Sequence, residues 1–223
     1  ILGLKPEEKD AYFLRGSAEL ELGDYESAKA DFDKAISMDP KNYDRLIEIY
    51  EALADYGYRE VGQEYLQNVL NTDKKLDAYD SGRIYYYLGD YQKAYLALEE
   101  AKGKGGVDSY LYLGKAYAAT GDYNYASSVY SNYLSKQGPD AEIYNQLGLC
   151  ELAKKDYQKA LEAFQAGKQI EGNSLMQTLS FNEIVAYEYL QDYQKAAVLL
   201  KAYLQNYPDD QAAIREQQFL STR

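Results

Sequence analysis

An Asp-Tyr pair recurs along the chain with Ala four residues after each Asp: Asp24-Tyr25 with Ala28, Asp90-Tyr91 with Ala94, Asp122-Tyr123 with Ala126, Asp156-Tyr157 with Ala160, and Asp192-Tyr193 with Ala196. Three copies share the string DYQKA, at 90–94, 156–160 and 192–196, and a degenerate copy runs from Gly57-Tyr58-Arg59 to Gly62. Aligned on these marks, units start near Lys9, Tyr43, Lys75, Val107, Ala141 and Gln177, about 32 to 36 residues apart. A fixed period of that length predicts an array in which each unit buries its apolar face against its neighbours.

Within a unit, apolar residues recur at helical spacing on both sides of the mark, as in Leu111, Leu113, Ala116 and Tyr117 before it and Ala126, Val129, Tyr130 and Tyr133 after it. That pattern predicts two amphipathic helices per unit. Gly23, Gly89 and Gly121 stand where the first helix must stop, because Gly takes the left-handed cap without a Cβ clash. The Asp that follows is a good N-cap for the second helix, since its carboxylate accepts from orphan backbone N–H groups at the positive end of the dipole. Gly16, Gly114 and Gly148 on first helices, and the recurring Ala on second helices, permit close approach, while Pro40, Pro139 and Pro208 close second helices.

The arrangement of Tyr12, Gly16, Gly23, Tyr25, Ala28, Phe32, Ala35 and Pro40 resembles the tetratricopeptide repeat signature position by position, and the other five units match it in part. The resemblance covers roughly residues 9–210. It implies an all-α fold, a right-handed α-solenoid forming a single array over 1–223: helix-turn-helix units near 9–42, 43–74, 75–106, 107–140, 141–176 and 177–210, then a capping helix at 211–223. Local departures are Tyr50 and Gly62 in unit two, Ala78 in unit three and Ile184 in unit six, where less regular packing is expected. Ile1, Leu2, Leu4 and Pro6 repeat the spacing of Ala35, Ile36, Met38 and Pro40, so the start resembles the tail of a preceding second helix. With Ile1 in place of an initiator Met, the expectation is an upstream leader or domain.

Charge and composition narrow the function. With 24 Lys+Arg against 36 Asp+Glu, the chain carries a net charge of -12 and repels phosphate backbones and anionic membrane surfaces. The absence of His removes the usual base of nucleophile triads and the commonest transition-metal ligand. A single Cys excludes intramolecular disulfides, and Cys150, at a small-residue position, reads as a buried apolar group. Lys102-Gly-Lys-Gly-Gly106 lacks the phosphate-loop spacing and reads as a flexible turn between units. No catalytic, cofactor or metal site is expected, and no apolar run reaches the roughly 18–20 residues that cross a bilayer.

In the family, first helices line a concave groove at slots two, five, six, nine, twelve and thirteen of each unit. Carried onto this chain, those slots give the candidate peptide-binding residues Tyr79, Arg83, Tyr86, Tyr112, Lys115, Asn145, Gln146 and Asn182, with Phe13, Ser17, Tyr87 and Tyr189 among their neighbours. The family's Lys/Asn clamp for a C-terminal carboxylate is missing, since Phe13 with Ser17 and Tyr79 with Arg83 stand in its slots. Arg83 and Lys115 among Tyr79, Tyr86 and Tyr112 suit a carboxylate or an extended peptide. The plainer reading makes both cations solvated rim charges paired with Asp80 and Asp108.

The expectation is a non-enzymatic scaffold or adaptor that binds a neutral or basic protein or peptide segment, with no nucleic-acid partner. Two alternatives stand beside it. One is a small ligand or glycan in a Tyr-rich groove. The other is a self-associating array built through Ile1, Leu2, Leu4 and Ile214, Phe219, Leu220. The make-up suits the exported part of a bacterial lipoprotein, and a cytoplasmic adaptor fits it too.

Overall fold

A computed structural model of the chain describes residues 8–222. The resemblance of Ile1, Leu2, Leu4 and Pro6 to a helix tail lies outside the described residues. Among those described there are thirteen α-helices and no strand. In chain order these are α1 (Lys9–Glu21), α2 (Tyr25–Met38), α3 (Tyr43–Asp55), α4 (Arg59–Thr72), α5 (Ala78–Tyr87), α6 (Tyr91–Glu100), α7 (Val107–Ala119), α8 (Tyr123–Lys136), α9 (Ala141–Ala153), α10 (Tyr157–Lys168), α11 (Met176–Tyr189), α12 (Tyr193–Asn206) and α13 (Gln211–Leu220). The fold is an all-α solenoid of helix pairs. It divides into two compact units, one ending at Ala97 and the other starting at Leu98.

The recurring Asp does what its position predicts. Asp24, Asp122, Asp156 and Asp192 each accept from the backbone N–H three residues on, and Asp90 accepts from that of Lys93. Before these Asp residues the chain turns through positive φ. Gly23, Gly89 and Gly121 do so at 79° to 83°, but Lys155 at 65° and Gln191 at 62° make the same turn with a side chain.

Four of the pairs are closed by a small residue facing a ring. In the first unit the ring of Phe32 is fully buried and lies against Gly16, where a Cβ would sit 2.8 Å from it. The second pair inverts this: Tyr50 stands on the first helix and Gly62 on the second, with 2.9 Å from an added Cβ to the Tyr50 ring. The volume is exchanged across the contact rather than lost, so the departure is compensated. In the second unit Gly114 faces Tyr130 and Gly148 faces Phe164 in the same manner. Both rings are fully buried, each worth about 1.5–3 kcal/mol of transfer free energy.

The last helix is better anchored than the sequence suggests. Asp210 caps α13 by accepting from Ala212 and Ala213, and it also accepts from the Tyr203 hydroxyl. Ala213 and Leu220 are buried in a cluster with Ile184, Ala196, Leu200 and Tyr203. Leu220 is therefore core, not an unpartnered apolar residue. The segment 102–106 is also tied down: the Ser109 hydroxyl donates to the Gly106 carbonyl at 2.9 Å and accepts from the Gly103 N–H at 3.1 Å.

Candidate functional site

The eight groove candidates fall into both units. In the second unit, first helices α7, α9 and α11 carry Tyr112 and Lys115, Asn145 and Gln146, and Asn182 in turn. Lys115 Nζ lies 3.6 Å from Glu142 Oε1, and Gln146 Nε2 donates to the same oxygen at 2.9 Å. One turn along α9, Asn145 Oδ1 accepts from Asn182 Nδ2 at 2.9 Å. A line of polar side chains thus runs from α7 over α9 to α11. Four of the five candidates of this unit take part in it, and Tyr112 is half-buried beside Lys115 on α7.

The partner of Lys115 is Glu142 and not Asp108, which corrects the expectation. Asp108 stands two turns back on the same helix, beyond the three- or four-residue spacing of helix ion pairs, and the pairing goes to the next first helix. Glu142 is the residue that sequence reasoning missed. It stands at slot two of its unit, so its register was sufficient to find it.

In the first unit, Tyr79, Arg83 and Tyr86 lie on α5, and Arg83 is only 7% exposed. Its guanidinium donates to Asp44 of α3 and Asp80 of α5, each at 2.5 Å, and lies 4.4 Å from the centre of the Tyr79 ring. Burial works against the charge, yet the hydrogen bonds to Asp44 and Asp80 outweigh it and hold the pKa above the ordinary arginine value. The residue is no solvated rim charge: two carboxylates and a ring already surround it. Its pairing with Asp80 was expected, and Asp44 was not.

The tyrosines at groove positions also contact their neighbours. Tyr86 packs against Tyr87 at 5.4 Å and against Tyr91 at 5.7 Å, and Tyr189 stacks on Tyr157 at 4.9 Å. Tyr189 still exposes 54% of its surface. Tyr87 donates to Glu51 at 2.6 Å, bridging α5 and α3. Rings at such positions can serve packing and an outer ligand together.

Cys150 is buried, and burial pushes its thiol up to about 12, so it carries little thiolate. Among the described residues no three His, Cys, Asp or Glu side chains converge on a metal-sized site, and no helix is long and apolar enough to cross a membrane. What the arrangement offers is hydrogen-bonding chemistry: an ammonium, a carboxylate and three amides on adjacent helices.

Three tetratricopeptide repeat family models match the chain, over residues 9–42, 111–174 and 181–210. Among curated proteins, none matches this sequence. Several solved structures share the fold. PilW, described as a widely conserved type IV pilus biogenesis factor, is similar with 16% identity and a TM-score of 0.67, over 95% of this chain and 97% of that one. A thermophilic tetratricopeptide repeat protein of Thermus thermophilus is similar with 15% identity and a TM-score of 0.60, over 97% of this chain and 100% of that one. YrrB, described as a tetratricopeptide repeat protein with an unusual peptide-binding site, shares 21% identity at a TM-score of 0.55, over 84% of this chain and 97% of that one. The matched segments carry four of the five Asp-Tyr marks and the helix pairs these specify, and the chain belongs to the tetratricopeptide repeat family.

Proposed function

We propose that this chain is a non-enzymatic interaction scaffold that holds a protein or peptide segment along its first helices. The observation that carries the reading is the polar line Lys115, Glu142, Gln146 and Asn145, Asn182 across α7, α9 and α11. Backbone amides of a docked segment exchange hydrogen bonds with such a line, and helices that hold their side chains in place beforehand reduce the ordering cost of binding. Tyr112 adds contact area to this line on α7, and in the first unit, taken by itself, Tyr79, ordered by Arg83, and Tyr86 offer contact area on α5. Arg83 acts by positioning Tyr79, because its charge is answered by Asp44 and Asp80. The net charge of -12 favours a neutral or basic partner. A structure of the same fold described as having a peptide-binding site is consistent with a peptide ligand here.

The test is affinity capture with quantitative mass spectrometry, comparing wild type with Tyr112→Ala/Lys115→Ala/Gln146→Ala after circular dichroism has established that both are folded. The reading expects at least one partner held by wild type and lost from the variant. Identical capture by both proteins, or capture of nothing, would refute it.

A further inference from the structure

The first unit contains a cleft that the groove reading does not use. One face of α4 contributes Glu60, Gln63, Glu64, Gln67, Leu70 and Asn71, and the opposite wall is Tyr85 of α5 and Leu88 at its C-cap with Asp90 and Lys93 at the start of α6. The space between them measures about 580 Å³. That is within the range of pockets that hold ligands, and apart from Leu70 its α4 wall is polar where a helix facing its neighbour in such an array would normally be apolar.

Two features of the α4 wall specify an occupant. Gln63, Gln67 and Asn71 follow one another at four-residue intervals, and Gln67 Nε2 donates to Asn71 Oδ1 at 3.4 Å. Four residues of helix rise about 6 Å, and two residues of extended chain advance about 6.6 Å. A ladder of three side-chain amides therefore stays nearly in step with every second peptide group of an extended segment, over about four residues. Amides suit that role because each carries both a donor and an acceptor, as a peptide group does.

Charge defines the rest. Three carboxylates, Glu60, Glu64 and Asp90, face one ammonium, Lys93, which leaves the walls with two excess negative charges. Asp90 and Lys93 answer each other at 2.6 Å, and the Lys93 ammonium lies 5.3 Å from the centre of the Tyr85 ring. Among the described residues neither Glu60 nor Glu64 forms an ion pair, and both are exposed to whatever enters. They stand one turn apart at the N-terminal end of the wall, where a Lys or Arg side chain would meet both.

We propose that this cleft is a second peptide site: it takes a short extended segment of a basic partner, with the backbone on the amide ladder of Gln63, Gln67 and Asn71 and a Lys or Arg side chain at Glu60 and Glu64. The site lies on other helix faces than the polar line of α7, α9 and α11 and stands or falls separately from it.

The test uses an array of heptapeptides carrying Lys or Arg at alternate positions, matched to an array carrying Glu there, with the remaining positions varied. The strongest basic member is then measured by fluorescence anisotropy. Wild type is expected to retain basic members and no acidic ones. Gln63→Ala/Gln67→Ala/Asn71→Ala, all at accessible positions, is expected to weaken the strongest by tenfold or more. Glu60→Gln/Glu64→Gln is expected to flatten its salt dependence, and N-methylation of alternate backbone nitrogens in the peptide to abolish binding. Tyr112→Ala/Lys115→Ala should leave it unchanged. Retention of no basic member, equal retention of acidic ones, or equal affinity of the ladder variant would overturn the proposal.

Discussion

Asn182 of α11 donates from Nδ2 to Oδ1 of Asn145 on α9 at 2.9 Å, joining two first helices that lie 37 residues apart in sequence. Asn145 is only 5% exposed, so the bond satisfies an amide that would otherwise be buried without a partner. Asn145→Ala removes one partner and strands the other, and Asn182→Ala does the reverse. A double-mutant cycle by urea denaturation is expected to give a coupling of about 1 kcal/mol between them. Strictly additive losses would show that the amides act independently.

Gly114→Ala puts a Cβ 2.2 Å from Tyr130 Cζ, and Tyr130 is fully buried with its hydroxyl donating to the Leu111 carbonyl at 3.3 Å. The ring has no room to retreat, so the substitution is expected to cost about 1–3 kcal/mol. Gly148→Ala meets Phe164 at 2.3 Å and should behave alike. Thermal unfolding measures both, and an unchanged Tm would contradict the close approach.

Lys155 and Gln191 occupy the left-handed turn that Gly fills before the other marks, with φ of 65° and 62°. An L side chain there costs about 1 kcal/mol, so Lys155→Gly and Gln191→Gly are each expected to raise stability by about 0.5–1 kcal/mol. Denaturant midpoints that fall would contradict this account of the turn.

Glu188 on α11 has a buried Oε1 that meets no donor, and Glu216 of α13 lies within hydrogen-bond reach. Burial first, then the charge of Glu216, pushes the Glu188 carboxyl up to about 7. Since the folded state holds this proton more tightly than the unfolded chain does, the contribution is fully present below about 4.3 and is lost as pH rises through about 7. Amide protection in α13, taken relative to the intrinsic base-catalysed exchange rate at each pH, is therefore expected to fall between pH 5 and pH 8, by an amount on the order of 1 kcal/mol after allowance for solvent screening. Glu188→Gln should remove the pH dependence, and its persistence in that variant would assign it elsewhere.

The helix pairs were legible because each Asp-Tyr mark encodes a stop and a start in adjacent residues, a local instruction that needs no tertiary context. The turns at Lys155 and Gln191 obey the same instruction without Gly, which register reveals and composition does not. Compensation was harder to see. Tyr50 and Gly62 each look like a departure, and only their contact shows that the large and small members of the pair have changed helices. At the candidate site, register placed Lys115, Asn145, Gln146 and Asn182 on successive first helices, but it could not say that Lys115 would meet Glu142, or that Arg83 would be enclosed by Asp44 and Asp80. Those pairings depend on the spacing between helices. The cleft beside α4 escaped for a similar reason, since a polar helix face reads as solvated until a neighbouring wall stands across from it.

Hydrogen-deuterium exchange of the chain with and without its captured partner tests the central claim most directly. The account predicts slowed exchange in segments covering 107–119, 141–153 and 176–189, together with loss of that protection in Tyr112→Ala/Lys115→Ala/Gln146→Ala. Protection confined to the second helices, or none at all, would contradict it.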